Sequence, residues 1–203
     1  SIDGEFKKVA VYAVQIFGIS RDITKPSPVW ARTDIAESFT ATASIGVVAG
    51  VSDFDDYYPW SDITRETLST GDVMVKIPKF WYKRYREGDI EYIKIAENEL
   101  EGFTLHPAFN HANSPKDCVY VGAYKTSSDK LSKSNAEPTT QRSRASFRSS
   151  AKTKGTGWQI LDISTLSAIQ MLILVEFANN DVQAVIGAGY SDSPNTSAFY
   201  DAQ

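Results

Sequence analysis

The chain has a single cysteine, Cys118, and only two histidines, His106 and His111. One cysteine excludes an internal disulfide and any multi-cysteine zinc site. The histidines lie five apart around Pro107, with no cysteine or close carboxylate flanking them, so they read as ordinary polar side chains rather than ligands. Long apolar runs are missing too. Val9 to Val14 and Met171 to Val175 are among the longest, against the roughly 20 residues a membrane helix needs. Basic charge is in deficit, with 21 Lys and Arg against 25 Asp and Glu, a net charge of −4. Nothing in that balance steers the chain toward nucleic acid or an anionic membrane. There is no Gly-x-Gly-x-x-Gly loop, no Walker-type Gly-Lys-Ser/Thr and no Gly-x-Ser-x-Gly elbow. Ser1-Ile2-Asp3-Gly4 carries neither the basic start nor the apolar centre of a signal peptide. No cofactor and no metal are expected.

What is present is ordinary globular composition: 42% apolar and 23% charged residues over 203 positions. A chain of this size buries roughly 70% of its unfolded surface, and one domain over residues 1–203 is the default, with its core in about 9–190. Aromatics are plentiful, with ten Tyr, ten Phe and four Trp. They suit a β-rich core or a recognition surface.

Val9 to Phe17 is apolar on both faces and predicts a central strand closed by Gly18. Val73 to Tyr85 alternates with period two and predicts a long strand with Pro78 at a bulge or edge. Glu87-Gly88-Asp89 predicts a hairpin turn and Ile90 to Ala96 its return strand. Cys118 to Tyr124 is a further strand, and the Ser- and Lys-rich stretch Thr126 to Thr139 reads as an exposed loop. Two helices follow. Thr140 can cap one over Gln141 to Thr153, and Ser164 can cap a strongly apolar one over Thr165 to Ala178, which should be the most buried element. Val182 to Ile186 reads as a returning strand before a polar tail at 191–203.

Three clusters hint at chemistry. Asp53, Asp55 and Asp56 lack the ordered ligand loop of a calcium site and read as a solvated acidic turn. Arg142, Arg144, Arg148, Lys152 and Lys154 make a locally basic helix, either a solvated face or an anion site. Tyr57, Tyr58 and Trp60 surround Pro59 beside acidic residues, where aromatic side chains in a rigid turn offer stacking area for a ligand such as a sugar ring. The competing reading is that Trp60 plugs the core.

Several segments, in order, carry a resemblance. They are Asp53-Phe54 through Pro59-Trp60-Ser61, Gly71-Asp72-Val73-Met74-Val75-Lys76-Ile77-Pro78-Lys79-Phe80, and Gly102-Phe103 with His106-Pro107-Ala108-Phe109. Val121-Gly122-Ala123-Tyr124, Phe147-Arg148, Gly155-Thr156-Gly157-Trp158-Gln159, Glu176-Phe177-Ala178-Asn179 and Ile186-Gly187-Ala188-Gly189-Tyr190 continue it. Together they resemble the C-type-lectin-like domains of phage and prophage tail and minor structural proteins. More distantly, the fold is shared with the phage major tropism determinant and the formylglycine-generating enzymes. The resemblance implies an α+β fold with two late helices packed on small antiparallel sheets. It implies a non-catalytic module, made in a bacterial cytoplasm and carried on a virion tail, that binds a host surface molecule, carbohydrate among the candidates. Tyr57, Tyr58, Trp60 and Tyr190 are the expected ligand-binding residues. Other tail subunits and a homo-oligomer are further expected partners, whereas nucleic acid and membrane insertion are not. A structural virion subunit and a degenerate formylglycine-generating enzyme are the alternative readings. Glu137-Pro138 begins the Glu-Pro-Asn tripeptide of calcium-dependent lectins, but Thr139 replaces its Asn.

Overall fold

The computed structural model describes residues 14–44, 48–111 and 113–187, a mixed α+β arrangement of small antiparallel sheets and few helices. In chain order the early strands are β1 (Ile16–Asp22), β2 (Ala31–Asp34), β3 (Ala41–Thr42), β4 (Val51–Ser52) and β5 (Thr64–Thr67). β6 (Val73–Pro78), β7 (Trp81–Glu87), β8 (Ile90–Ala96) and β9 (Thr104–Leu105) follow. The last strands are β10 (Asn110–His111), β11 (Ser114–Pro115) and β12 (Cys118–Gly122), before the helices α1 (Arg144–Lys152), α2 (Ile163–Phe177) and α3 (Val182–Ile186).

The main sheet runs β2-β1-β8-β7-β9, and a second runs β12-β6-β5. β7 and β8 are joined at the expected turn, where Gly88 takes φ 58°. In the main sheet Phe17 stands opposite Ile95 and Ile19 opposite Ile93, all buried. Ala168, Leu172 and Val175 of α2 belong to the same core. On the other face Tyr85 and Tyr92 stack at 4.9 Å with their rings 9° apart. Period-two alternation thus sends one set of side chains to the core and the other outward.

Several expectations are corrected. The first described strand does not close at Gly18 but runs through it, paired with Thr33 of β2 and Lys94 of β8, and Thr33 and Asp34 leave no room there for a side chain; Val9 to Ala13 lie outside the described residues. The long strand of 73–85 is two strands in two sheets, broken at Lys79-Phe80. Pro78 is paired only with Cys118, since β5 reaches no farther than Lys76, so its missing N–H falls where a ladder has one side. α1 is capped by Ser143 and α2 by Asp162, each one turn from the cap expected or closer. Residues 182–186 form a helix, capped by Asp181, and not a strand. α2 buries one stripe, Thr165, Ala168, Leu172 and Val175, and leaves the rest half-exposed or, at Ile163 and Gln170, exposed, so β8 is the more deeply buried element.

The stretch after β12 is held to the second sheet by a carboxylate. Asp72, only 1% exposed, accepts from Thr70 Oγ1 at 2.7 Å, Ser132 N at 3.0 Å and Lys154 Nζ. Ser132 is buried beside it, and so is Ser127, which donates to Asp129 and the Leu131 carbonyl; the reading of this stretch as an exposed loop did not anticipate either.

Candidate functional site

The aromatic turn expected to bind folds inward. Trp60 is 6% exposed, with its ring 4.6 Å from Phe54 and 5.3 Å from Phe17. Tyr57 lies 5.6 Å from Phe17 and 5.0 Å from Phe39. Tyr58 donates its hydroxyl to the Lys79 carbonyl, and burial pushes the phenol up to about 12. Trp60 is therefore a core residue and Tyr57 packs against the same core, in a cluster of five rings with Phe17, Phe39 and Phe54 whose mutual packing removes apolar area from water, while Tyr58 is half-buried on the Lys79 carbonyl. Tyr190 lies outside the described residues. Asp53 is engaged within the fold, accepting from Thr40 N at 2.7 Å and Thr40 Oγ1 at 3.0 Å.

A cleft opens elsewhere, between the β7–β9 edge and the start of α2. Its volume is about 560 Å³. β7 supplies Tyr82, Lys83 and Arg84; Thr104 and His106 stand on and just after β9; Ser164, Ser167 and Met171 come from α2. Ser167 and Met171 sit one helical turn apart, so α2 turns a single stripe to the cleft. Asp162 starts the helix there by accepting from Thr165 N at 2.7 Å. At the opposite wall Gly102, with φ 77°, lets Lys83 Nζ pass 3.1 Å from where a Cβ would be.

His106 is 2% exposed, and burial pushes its imidazole down to about 4. Its Nδ1 accepts from Ala108 N at 3.2 Å, so the proton of the neutral ring sits on Nε2. At neutral pH that nitrogen is a donor and no base. Arg84 is fixed by Glu91, donating from Nε to Oε1 at 2.8 Å. Glu91 is itself buried and takes a second pair of bonds from Arg21 at 2.9 and 2.8 Å. The cleft thus combines hydroxyls, a neutral imidazole donor and two cations over a partly apolar floor. Such a set grips a polar ligand by oriented hydrogen bonds and offers a counter-charge to an acidic substituent.

Sequence reasoning placed no ligand in this cleft, because its parts are scattered from Tyr82 to Met171. The one local signal was Ser164 and Ser167, hydroxyls three apart in a mostly apolar helix. His111, read as lacking a nearby carboxylate, has Asp162 Oδ2 3.4 Å from its Nε2 across the fold. Comparison of the chain with protein-family models, curated proteins and solved structures yields no match.

Proposed function

We propose that this chain is a non-catalytic binding module of the phage-tail type, with a C-type-lectin-like fold, that holds a polar host-surface ligand such as a glycan. The observation that carries the reading is the convergence of Tyr82, Thr104, His106, Ser164 and Ser167 with Lys83 and Arg84 on one cleft of about 560 Å³. That volume lies in the range of ligand pockets, and hydroxyl-rich ligands need the mixture of donors, acceptors and apolar floor found here. The neutral, Nε2-protonated His106 supports binding over base catalysis.

The test is attachment of the protein to a glycan panel and to intact bacterial cells, with Thr104→Val and Ser167→Ala beside the parent. Each lost hydrogen bond should weaken attachment about fivefold, corresponding to ~1 kcal/mol, while thermal stability stays unchanged. Undiminished attachment by the double variant overturns the reading. A structural virion role is favoured by one observation, two exposed apolar residues, Ile163 at the cleft and Leu161 just before it in the chain, 77% and 51% exposed. Under that reading the double variant attaches normally, and assembly with other tail subunits fails when Leu161 and Ile163 are made polar.

A further inference from the structure

A second groove, of about 370 Å³, is lined by α1 and by residues 159–162 and shares no lining residue with the cleft. Arg144, Arg148 and Lys152 line it, with Gln159, Ile160, Leu161 and Asp162 opposite. The three cations are four residues apart, so they form one stripe with charges about 6 Å from one to the next. All three are exposed. Among the described residues no carboxylate lies within salt-bridge distance of any of them, although acids outnumber bases in the chain. Arg21, Lys25, Lys79, Arg84, Lys94, Lys133 and Lys154 each have an acidic partner, while Arg65, Lys76 and Lys116 among others also lack one, so what marks this stripe is the alignment of three unpaired cations on one groove. The one acid in the groove, Asp162, is committed to Thr165 N and Gln159 Nε2, both at 2.7 Å.

The stripe also works against its own helix. Like charges four apart repel, and Arg144 occupies the first position of α1, where the helix dipole disfavours a cation and no acid stands in the first turn. α1 has no fully buried residue whose packing would compensate. An anion in the groove would remove both penalties at once.

We propose that this groove binds a linear phosphate polyanion, whose successive charges match the three-cation stripe. The site is separate from the cleft of the proposed function. The acidity of the rest of the chain repels a long duplex, and the groove lining holds no aromatic side chain for bases to stack on, which suits a base-free chain.

The test is titration of the whole chain with sodium polyphosphate, followed by Trp fluorescence and calorimetry. Binding should weaken roughly 20-fold between 50 and 200 mM salt, the slope of about three neutralised charges on a single-stranded polyanion. Arg148→Gln should weaken it about tenfold, and Arg144→Gln/Arg148→Gln should abolish it, with melting temperature unchanged or raised. Lys25→Gln, which changes net charge equally at an exposed paired site, should leave it intact. Equal loss with Lys25→Gln, full binding by the double variant, or no binding at 50 mM salt overturns the proposal. Parallel titrations with a glycerol-phosphate polymer and a single-stranded oligonucleotide distinguish the source; preference for the oligonucleotide overturns the base-free assignment. The cleft variants Thr104→Val and Ser167→Ala should bind polyphosphate normally, so failure here and failure of the proposed function read out separately.

Discussion

His106 and Glu91 show how two buried titratable side chains make the molecule acid-sensitive in separate ranges. The folded pKa of His106 is about 4, below the ordinary value near 6.5, so the unfolded chain takes up a proton first on acidification. Its contribution is complete above pH 6.5 and falls away between 6.5 and 4, by at most about 3 kcal/mol. Urea unfolding across that range should show the slope, and the His106 imidazole resonances should stay in the neutral form down to pH 5. An imidazolium signal at pH 6 would contradict the burial argument. Burial pushes the Glu91 carboxyl up, but hydrogen bonds from Arg84 and Arg21 outweigh this and hold it below the usual carboxylate range. Its stability is present above pH ~4.3 and is lost as pH drops farther. Glu91→Gln should cost about 2 kcal/mol at pH 7, discounted from the buried-pair range because both guanidiniums reach solvent. The same substitution should flatten the stability curve below pH 4. Trp60→Phe, in turn, should cost less than Trp60→Ala, because a ring still fills most of the site and the indole Nε1 has no hydrogen-bond partner to lose. Trp60→Ala should cost about 3–5 kcal/mol.

At the scale of elements, α2 is amphipathic in burial though not in composition. Leu172→Ala, on the buried stripe, should cost about 2–5 kcal/mol through lost transfer energy and a cavity. Ile163→Ala, at the exposed first position, should change stability by less than about 0.5 kcal/mol. Equal costs in denaturant melts would mean that the helix is buried all round. Its apolar sequence showed that a helix forms but could not show which residues touch the sheet, since almost every position offered the same hydrophobicity. The β7–β8 hairpin was legible because Gly88 and the alternation around it are local signals. The break between β6 and β7 was not, because Phe80 and Trp81 continue an apolar pattern while the chain leaves one sheet for another. Residues 182–186 misled for a related reason: Val and Ile favour strands, but Asp181 accepts from Ala184 N at 3.0 Å and caps a helix instead. Asp72 joins three elements, and Asp72→Asn, which weakens the hold on Lys154, should cost about 2 kcal/mol. Limited proteolysis should then cut first within 126–139.

For the whole molecule, the α+β class was legible and the candidate site was not, because a cleft is a property of distant segments brought together. Tyr57, Tyr58 and Trp60 have the composition of a recognition loop, yet a loop next to Phe17 and Phe39 gains more by closing over them. The sheet that creates this arrangement has an order of assembly written into it. Arg21 and Glu91 are 70 residues apart in sequence but adjacent in β1 and β8. The β7–β8 hairpin can form within microseconds, whereas β1 must be captured across that long interval, so the late half of the sheet is the template for the early half. On the ribosome, at ~5–20 residues per second, Phe17 and Ile19 emerge roughly 4–16 s before Ile95 and Ile93, their partners in β8, exist. For that interval the edge of β1 that will meet β8 stays unpaired, although β2, Phe39, Phe54 and Trp60 have already emerged to cover part of the strand, and the span between β1 and β8 sets how long a chaperone would have to shield the rest.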